Sequence, residues 1–231
     1  MKSIKTIQGK IHIVEDFISP DTANFISSAI SKFVIPAPDK SVFAGPSCSN
    51  RADLIGPIKT ITEYNDDPDY NVAIDLISNL SYSMAKTISD FYSEDYVLKT
   101  IFYNKMISGA KNTLHMDNNY IEEGSHKIKF REGSAKDKSG LLYLNCDCDG
   151  GVLSFPLQEF SVKPKPGTFI FFEGNKETPH EVLEITGGER HNLVSFFWPK
   201  EMSNNEELAK AAHNPMPEVQ ATIGIIKNDI R

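Results

Sequence analysis

The 231-residue sequence is poor in cysteine, arginine and tryptophan, with three, four and one of each. Cys48, Cys146 and Cys148 cannot all pair with one another, which excludes a small secreted scaffold held by disulfides. A basic surplus is also lacking. Lys plus Arg total 24 against 31 for Asp plus Glu, giving a net charge of −7 and a pI near 5.4. Such a chain has no electrostatic footprint for phosphate backbones or anionic lipid, so no nucleic-acid or membrane partner is expected. No apolar run reaches the about 20 residues of a membrane span. The first residues, MKSIKTIQGKIHIVEDF, contain no unbroken apolar stretch of the signal-peptide kind, and the expected location is cytoplasmic. Internal repeats and low-complexity tracts are missing as well.

What is present is a globular composition, 40% hydrophobic and 24% charged, which argues against disorder. Residues 11–17 (IHIVEDF) read as a short strand leading to a helix, with Ser19 as cap and Pro20 at the first helical position. Phe25, Ile26, Ala29, Ile30 and Phe33 then recur at helical spacing. Residues 36–68, rich in Pro, Gly, Ser, Asn and Asp, read as irregular structure with short strands. Val72, Ala73, Leu76, Ile77, Leu80, Met84, Ile88 and Phe91 mark a long helix whose stripe is expected to face the core.

From Tyr96 onward the pattern changes to strands. YVLKTIFYNKMIS, GLLYLN, GVLSF, FSVK, GTFIFFE, HEVLEI and HNLVSFFW are short, aromatic or β-branched, and separated by Gly, Pro and charged turns. They predict a β-sandwich or jelly roll. Segment 118–139 interrupts them with a long, charged, Gly-containing stretch. Loops of that length are functional or mobile, and this one reads either as a lid over a substrate or as a passive surface loop. A further helix is expected around Asn205–His213. The expected fold is mainly β, one domain over 1–231. Its β-core lies at about 96–199, helical support at about 12–92, and a C-terminal helix and tail at 200–231.

His115-Met116-Asp117 ends one strand-like run. An imidazole and a carboxylate two residues apart project the same way and can share a metal, although a strand-end His beside a turn Asp is the simpler reading of the pair alone. His180, opening another strand after a Pro and a polar turn, completes a two-His-one-carboxylate set. That facial arrangement binds Fe(II) and leaves positions open for cosubstrate and dioxygen. Arg190 follows just beyond the Gly187-Gly188 turn, on a strand expected to pair with the His180 strand. A guanidinium there suits a bidentate grip on a dicarboxylate. Asn192 is expected on the same face as Arg190, and His191 on the opposite one. Cys146-Asp147-Cys148-Asp149 has no second thiol pair and reads as a polar turn before Gly150. His12, His126, His191 and His213 lack ligand spacing and read as surface or packing residues, and Trp198 and Phe169–Phe172 read as core.

Together these residues resemble the 2-oxoglutarate- and Fe(II)-dependent dioxygenases, in their prolyl 4-hydroxylase-like branch, from about Tyr103 to Trp198. The matching pieces run in the family's order. They are Gly109 before His115-x-Asp117, Leu142-Tyr143-Leu144-Asn145, Gly150-Gly151 with Ser154-Phe155-Pro156, Val162-x-Pro164-x-x-Gly167 with Phe171-Phe172, His180, and Arg190. Val14-x-x-Phe17-Ile18-Ser19 ahead of the first helix also fits. The resemblance implies a double-stranded β-helix with a metal at its open mouth and helices outside. It maps His115, Asp117 and His180 onto the iron ligands and Arg190 onto the clamp for the distal carboxylate of 2-oxoglutarate. Tyr143 falls where a phenol meets the same carboxylate, with Asn192 beside them. Fe(II), 2-oxoglutarate and O2 are implied, and ascorbate accompanies them in this branch.

The implied reaction hydroxylates a C–H bond as 2-oxoglutarate is decarboxylated to succinate. The substrate is peptidyl proline or, alternatively, a free amino acid or other small molecule. Collagen-type members usually carry Lys where Arg190 stands, and tyrosines that flank the conserved glycine are here Met106 and Asn112. Arg at this position is nearer to the oxygen-sensing branch and to many bacterial relatives. A jelly-roll binding module without catalysis would explain the strands, but not these four residues in this order.

Overall fold

The structure, a computed structural model, describes residues 3–33, 49–55, 66–121, 128–130 and 136–202. The chain begins with β1 (Lys5–Ile7), β2 (Ile11–Val14), α1 (Pro20–Ser31), β3 (Ser49–Ile55) and α2 (Pro68–Tyr92). It continues with β4 (Tyr96–Ile107), β5 (Asn112–His115), β6 (Asn119–Ile121), β7 (Ile128–Phe130) and β8 (Lys138–Asn145). The last described part holds β9 (Cys148–Gly150), β10 (Leu153–Phe155), β11 (Phe160–Val162), β12 (Phe169–Phe172), β13 (His180–Val182) and β14 (Ile185–Pro199). A major antiparallel sheet runs β1-β2-β12-β8-β14-β4-β3, with β9 added to β14, and a minor sheet runs β11-β10-β13-β5. Three strands from the N-terminal part, β1, β2 and β3, thus extend the major sheet.

Strand alternation explains why GLLYLN and FIFF are apolar without a break. Leu142, Leu144, Phe169 and Phe171 face α1 and α2, joined by Ile26, Ile30, Ile77, Met84 and Ile88. Leu141, Tyr143, Ile170 and Phe172 face the minor sheet, joined by Leu153, Phe155, Val182 and Ile185. The central strands are covered on both faces, so both residue sets must be apolar. At Gly167 the φ is +87°, and a Cβ there would run into the Ile18 carbonyl oxygen. Gly167 N–H donates to Tyr143 O at 2.8 Å and its own carbonyl accepts from Ile18 N at 3.3 Å, tying the entry of α1 to β8.

Both helices start as their sequences dictate. Ser19 Oγ accepts from Thr22 N at 3.1 Å, and Asp67 accepts from the N–H groups of Asp69 and Tyr70 at 2.9 and 3.1 Å. The buried face of α2 is Ala73, Ile74, Ile77, Ser81, Met84, Ala85 and Ile88. The expected stripe is therefore rotated: Val72 is 50% exposed and Phe91 sits at the rim at 37%, while Ile74, Ser81 and Ala85 turn inward. The helix packs on both α1 and β4, so its contact face is wider than one stripe. Ser81 enters it because its hydroxyl donates to Ser78 O at 2.6 Å.

Segment 118–139 is more ordered than a simple loop. β6 and β7 pair as an antiparallel ribbon, and Asp137 is buried with Lys99 at 2.6 Å. Residues 122–127 and 131–135 lie outside the described residues, and so does the helix expected around Asn205–His213. Among the described residues, no helix is long and apolar enough to cross a membrane.

His12 is a packing histidine, 1% exposed, with its ring 4.1 Å from Phe91 and 4.9 Å from Phe171. Burial pushes its pKa down to about 4 from 6.5, with Glu173 opposing and Lys138 assisting. The unfolded chain takes up a proton near pH 6.5 that the folded chain refuses until about pH 4, so the contribution is full above 6.5 and lost as pH falls. Chemical denaturation across this window should show His12→Leu losing less stability on acidification than wild type. An equal slope in the two proteins would show that His12 does not carry this term.

Candidate metal centre and carboxylate clamp

β5 ends at His115 and β13 begins at His180, and the two residues are direct cross-strand partners. Their rings lie 4.4 Å apart. Asp117, two residues beyond the end of β5, has Oδ1 3.6 Å from His115 Nε2 and Oδ2 3.6 Å from His180 Nε2. The candidate ligand atoms of all three residues fall within 4.8 Å of one another. His115 Nδ1 lies 2.7 Å from Thr113 O, and His180 Nδ1 lies 3.1 Å from Thr178 O. A carbonyl only accepts, so each Nδ1 carries a hydrogen and each ring turns its Nε2 toward Asp117. Burial drives the His180 pKa down to about 4, against the pull of Asp117, and this keeps the ring neutral at pH 7. Two imidazoles and one carboxylate around a gap of this size fit a first-row divalent metal, which sits about 2 Å from N and O donors.

Arg190 projects from β14 into the space between the sheets and is 2% exposed. Its Nη2 donates to Tyr143 OH at 2.8 Å, and its Nη1 lies 3.2 Å from both Asn192 Oδ1 and Met106 Sδ. The Tyr143 ring centre is 4.9 Å from the guanidinium carbon. Arg190 Nε is buried with no partner. Among the described residues no carboxylate reaches this guanidinium, and an enclosed cation without a counter-ion is costly. The pocket therefore suits an anionic guest. Gly151, with φ +63°, passes close by: a Cβ there would stand 3.3 Å from Arg190 Cδ. Burial raises the pKa of Tyr143, with Arg190 opposing, and pushes the Cys146 thiol up to about 11. Both groups stay protonated at neutral pH.

The expected pairing between the His180 and Arg190 strands does not form. β13 pairs with β10 and β5 in the minor sheet, whereas β14 pairs with β4 and β8 in the major one. The chain crosses between sheets after Val182, so the His, Asp, His cluster and Arg190 reach the interior from opposite walls. Asn192 shares the Arg190 face and also accepts from Asn104 Nδ2 at 3.4 Å. His191 points the other way. Its Nε2 lies 3.0 Å from the acceptor Glu189 Oε2, which leaves Nδ1 to accept from Ser27 Oγ of α1 at 2.5 Å. Asp147 N donates to Asn145 Oδ1 at 2.8 Å, so the turn between β8 and β9 is Cys146-Asp147 alone. Cys148 and Asp149, expected in that polar turn, instead pair with β14 as part of β9, and Cys148 is buried. His126 and His213 lie outside the described residues.

Sequence reading missed the Thr113 and Thr178 carbonyls, Asn104, Ser139 and Gly174. The repeated Thr-x-His at 113–115 and 178–180 was a usable signal, since both carbonyls sit two residues before the ring they orient.

A β-sandwich closing over two histidines, one carboxylate and a buried arginine defines a double-stranded β-helix of the metal-dependent oxygenase type. Residues 101–198 match the family model of the 2OG-Fe(II) oxygenase superfamily. Prolyl 3-hydroxylase 2 of Mus musculus is 34% identical over 92 residues, which cover 36% of this chain and 13% of the relative. The chain thus matches only about an eighth of that protein's length. The viral collagen prolyl hydroxylase of Paramecium bursaria Chlorella virus-1, solved with 2-oxoglutarate, superposes with a TM-score of 0.55 at 20% identity, over 84% of this chain and 98% of that one. The Trichoplax adhaerens prolyl hydroxylase, solved with a hypoxia inducible factor peptide fragment, gives 0.59 at 16% identity, over 85% and 86%. These likenesses establish the jelly-roll fold.

Asn192 is the shared acceptor for Arg190 and Asn104, so its loss removes one buried hydrogen bond from each of these two donors. Asn192→Leu should lower the stability of the metal-free protein by about 1–3 kcal/mol. Urea unfolding measures this, and a variant as stable as wild type would mean that the donors find other acceptors.

Proposed function

We propose that this chain is an Fe(II)- and 2-oxoglutarate-dependent hydroxylase acting on proline within a peptide. The observation that carries the reading is a buried arginine that no carboxylate of the described residues reaches, in the same interior as the His115, Asp117 and His180 cluster. His115, Asp117 and His180 would hold the iron, and Arg190 with Tyr143 would take the distal carboxylate of 2-oxoglutarate. Asn192 and Met106 set the guanidinium in place, since both lie 3.2 Å from Nη1. When bound, Fe(II) supplies the oxidative chemistry that couples decarboxylation of 2-oxoglutarate to hydroxylation of a C–H bond. Around it the protein binds, orients and excludes water; Phe155 and Phe172 pack on the His180 ring at 5.7 and 4.7 Å and keep that side dry. A peptide substrate is supported by the prolyl hydroxylases this chain is similar to. Ascorbate, implied by the same resemblance, would act as a reductant that prolongs turnover.

Anaerobic addition of Fe(II) and 2-oxoglutarate should produce the weak visible band of a chelated 2-oxoacid. Asp117→Ala should abolish it together with turnover. Arg190→Ala should retain iron but weaken 2-oxoglutarate binding by two to three orders of magnitude. Removing one partner of an enclosed charge pair costs about 3–5 kcal/mol, and about 1.4 kcal/mol is tenfold. Tyr143→Phe should cost less, about 0.5–1.5 kcal/mol. Succinate release from a panel of prolyl peptides and free metabolites, with NMR of the product, reads both substrate class and the carbon hydroxylated. A metabolite as the sole coupled substrate would overturn the peptide assignment, and unchanged 2-oxoglutarate affinity in Arg190→Ala would overturn the clamp.

A further inference from the structure

Ser139 is the second residue of β8 and 1% exposed. It shares its strand face with Leu141 and Tyr143, so its hydroxyl points between the sheets. There it donates to Asp117 Oδ2 at 2.7 Å, a charge-assisted bond at the short end of the ordinary range. Ser195, on the neighbouring strand and equally buried, shows the plainer alternative: its hydroxyl is satisfied by the backbone carbonyl of Gly140 at 3.0 Å. The Ser139 hydroxyl instead engages a candidate metal ligand.

Gly174, in the turn after β12, closes on the same carboxylate from another side. A Cβ there would lie 2.6 Å from Asp117 Cβ, 2.6 Å from Ser139 Oγ and 3.0 Å from Asp117 Oδ2. Gly174 O accepts from Asn118 N at 2.7 Å, and Asn118 Nδ2 donates to Asp137 O at 2.8 Å. The residues just before Ser139 and Gly174, Lys138 and Glu173, form an ion pair at 2.7 Å. Lys138 Nζ also stands 4.4 Å from the Tyr92 ring centre. The two segments that touch Asp117 are thereby fastened to each other and to the end of α2.

We infer that Ser139, with Gly174 opposite it, is a positioning residue that holds Asp117 by Oδ2, so that the carboxylate meets a metal through one oxygen and leaves the remaining positions for cosubstrate. This rests on the metal reading above and concerns how the third ligand is presented. Hydrogen-bond partners behind metal ligands are commonly worth 10–100-fold in metal affinity, which sets the expected size.

Co(II) provides a test that needs no turnover. The metal-free full chain, with Ser139→Ala and Gly174→Ala variants, is titrated with Co(II) and followed by its visible absorption. Ser139→Ala should bind Co(II) about 10–100-fold more weakly. Its band intensities should also change, as Asp117 becomes able to bind through both oxygens. Gly174→Ala should weaken binding too, because the added methyl displaces Asp117 while Ser139 is unaltered in sequence. Should Ser139→Ala fail to fold, Ser139→Thr keeps the hydroxyl and carries the comparison: wild-type-like affinity there with loss in Gly174→Ala supports the inference. Wild-type affinity and spectrum in a folded Ser139→Ala, or in Gly174→Ala, overturns it. Absence of Co(II) binding by the wild type, or binding that Asp117→Ala leaves unaltered, is a separate result that removes the metal reading itself.

Discussion

The centre of this protein depends on one cross-strand pair. β5 and β13 are each short, and their antiparallel register sets His115 directly opposite His180. Residues so paired have Cα atoms about 5 Å apart, close enough for two imidazoles to share one partner. The register shifts immediately afterwards, between His180 and Val182. A slip of one residue would turn one ring to the other face of the minor sheet and dissolve the cluster. Asp117 adds no strand pairing of its own. It is held by Ser139 and by the turn at Gly174, so the carboxylate depends on the major sheet while the two imidazoles depend on the minor one.

Two buried cations show contrasting electrostatic solutions. Lys99, beside Trp198, is joined to Asp137 at 2.6 Å, so its charge is compensated within the fold. Burial raises the Asp137 pKa and Lys99 opposes the rise. Among the described residues Arg190 instead has only neutral acceptors, namely the Tyr143 hydroxyl, the Asn192 amide oxygen and the Met106 sulfur, and its Nε has none. Those acceptors orient the guanidinium without cancelling its charge. The attraction left over is available to a carboxylate entering from outside, which is why this arginine reads as a binding group and Lys99 as a structural one.

The helices support this arrangement from the far side of the major sheet. His191, next to Arg190 in sequence, bonds to Ser27 of α1 and to Glu189, fixing the strand from the face that Arg190 does not use. Tyr103 on β4 reaches Ser27 O at 3.4 Å and strengthens the same junction. Adjacent residues of one strand thus serve opposite purposes, one toward the interior and one toward the helix layer, as the two-residue period of a strand requires.

The alternation of apolar and polar runs, the capped first helix and the order of His115, Asp117, His180 and Arg190 were legible from sequence, because each is carried by residue type and local spacing. The amino-acid sequence by itself determined the sandwich class, the start of the first helix and the opposite facing of His191, and it named the four candidate residues of the site. It did not determine which strands pair. The expected partnership of the His180 and Arg190 strands failed because the chain crosses from one sheet to the other after Val182, a choice made by burial across the whole core. The tilt of α2, which exposes Val72 and buries Ser81, was likewise decided by the two surfaces it meets. Ser139, Gly174 and Asn104 carry no signal of their own, since a serine, a glycine and an asparagine are ordinary anywhere. Only the approach of distant segments gives them a carboxylate to hold, a space to leave empty and an amide to meet.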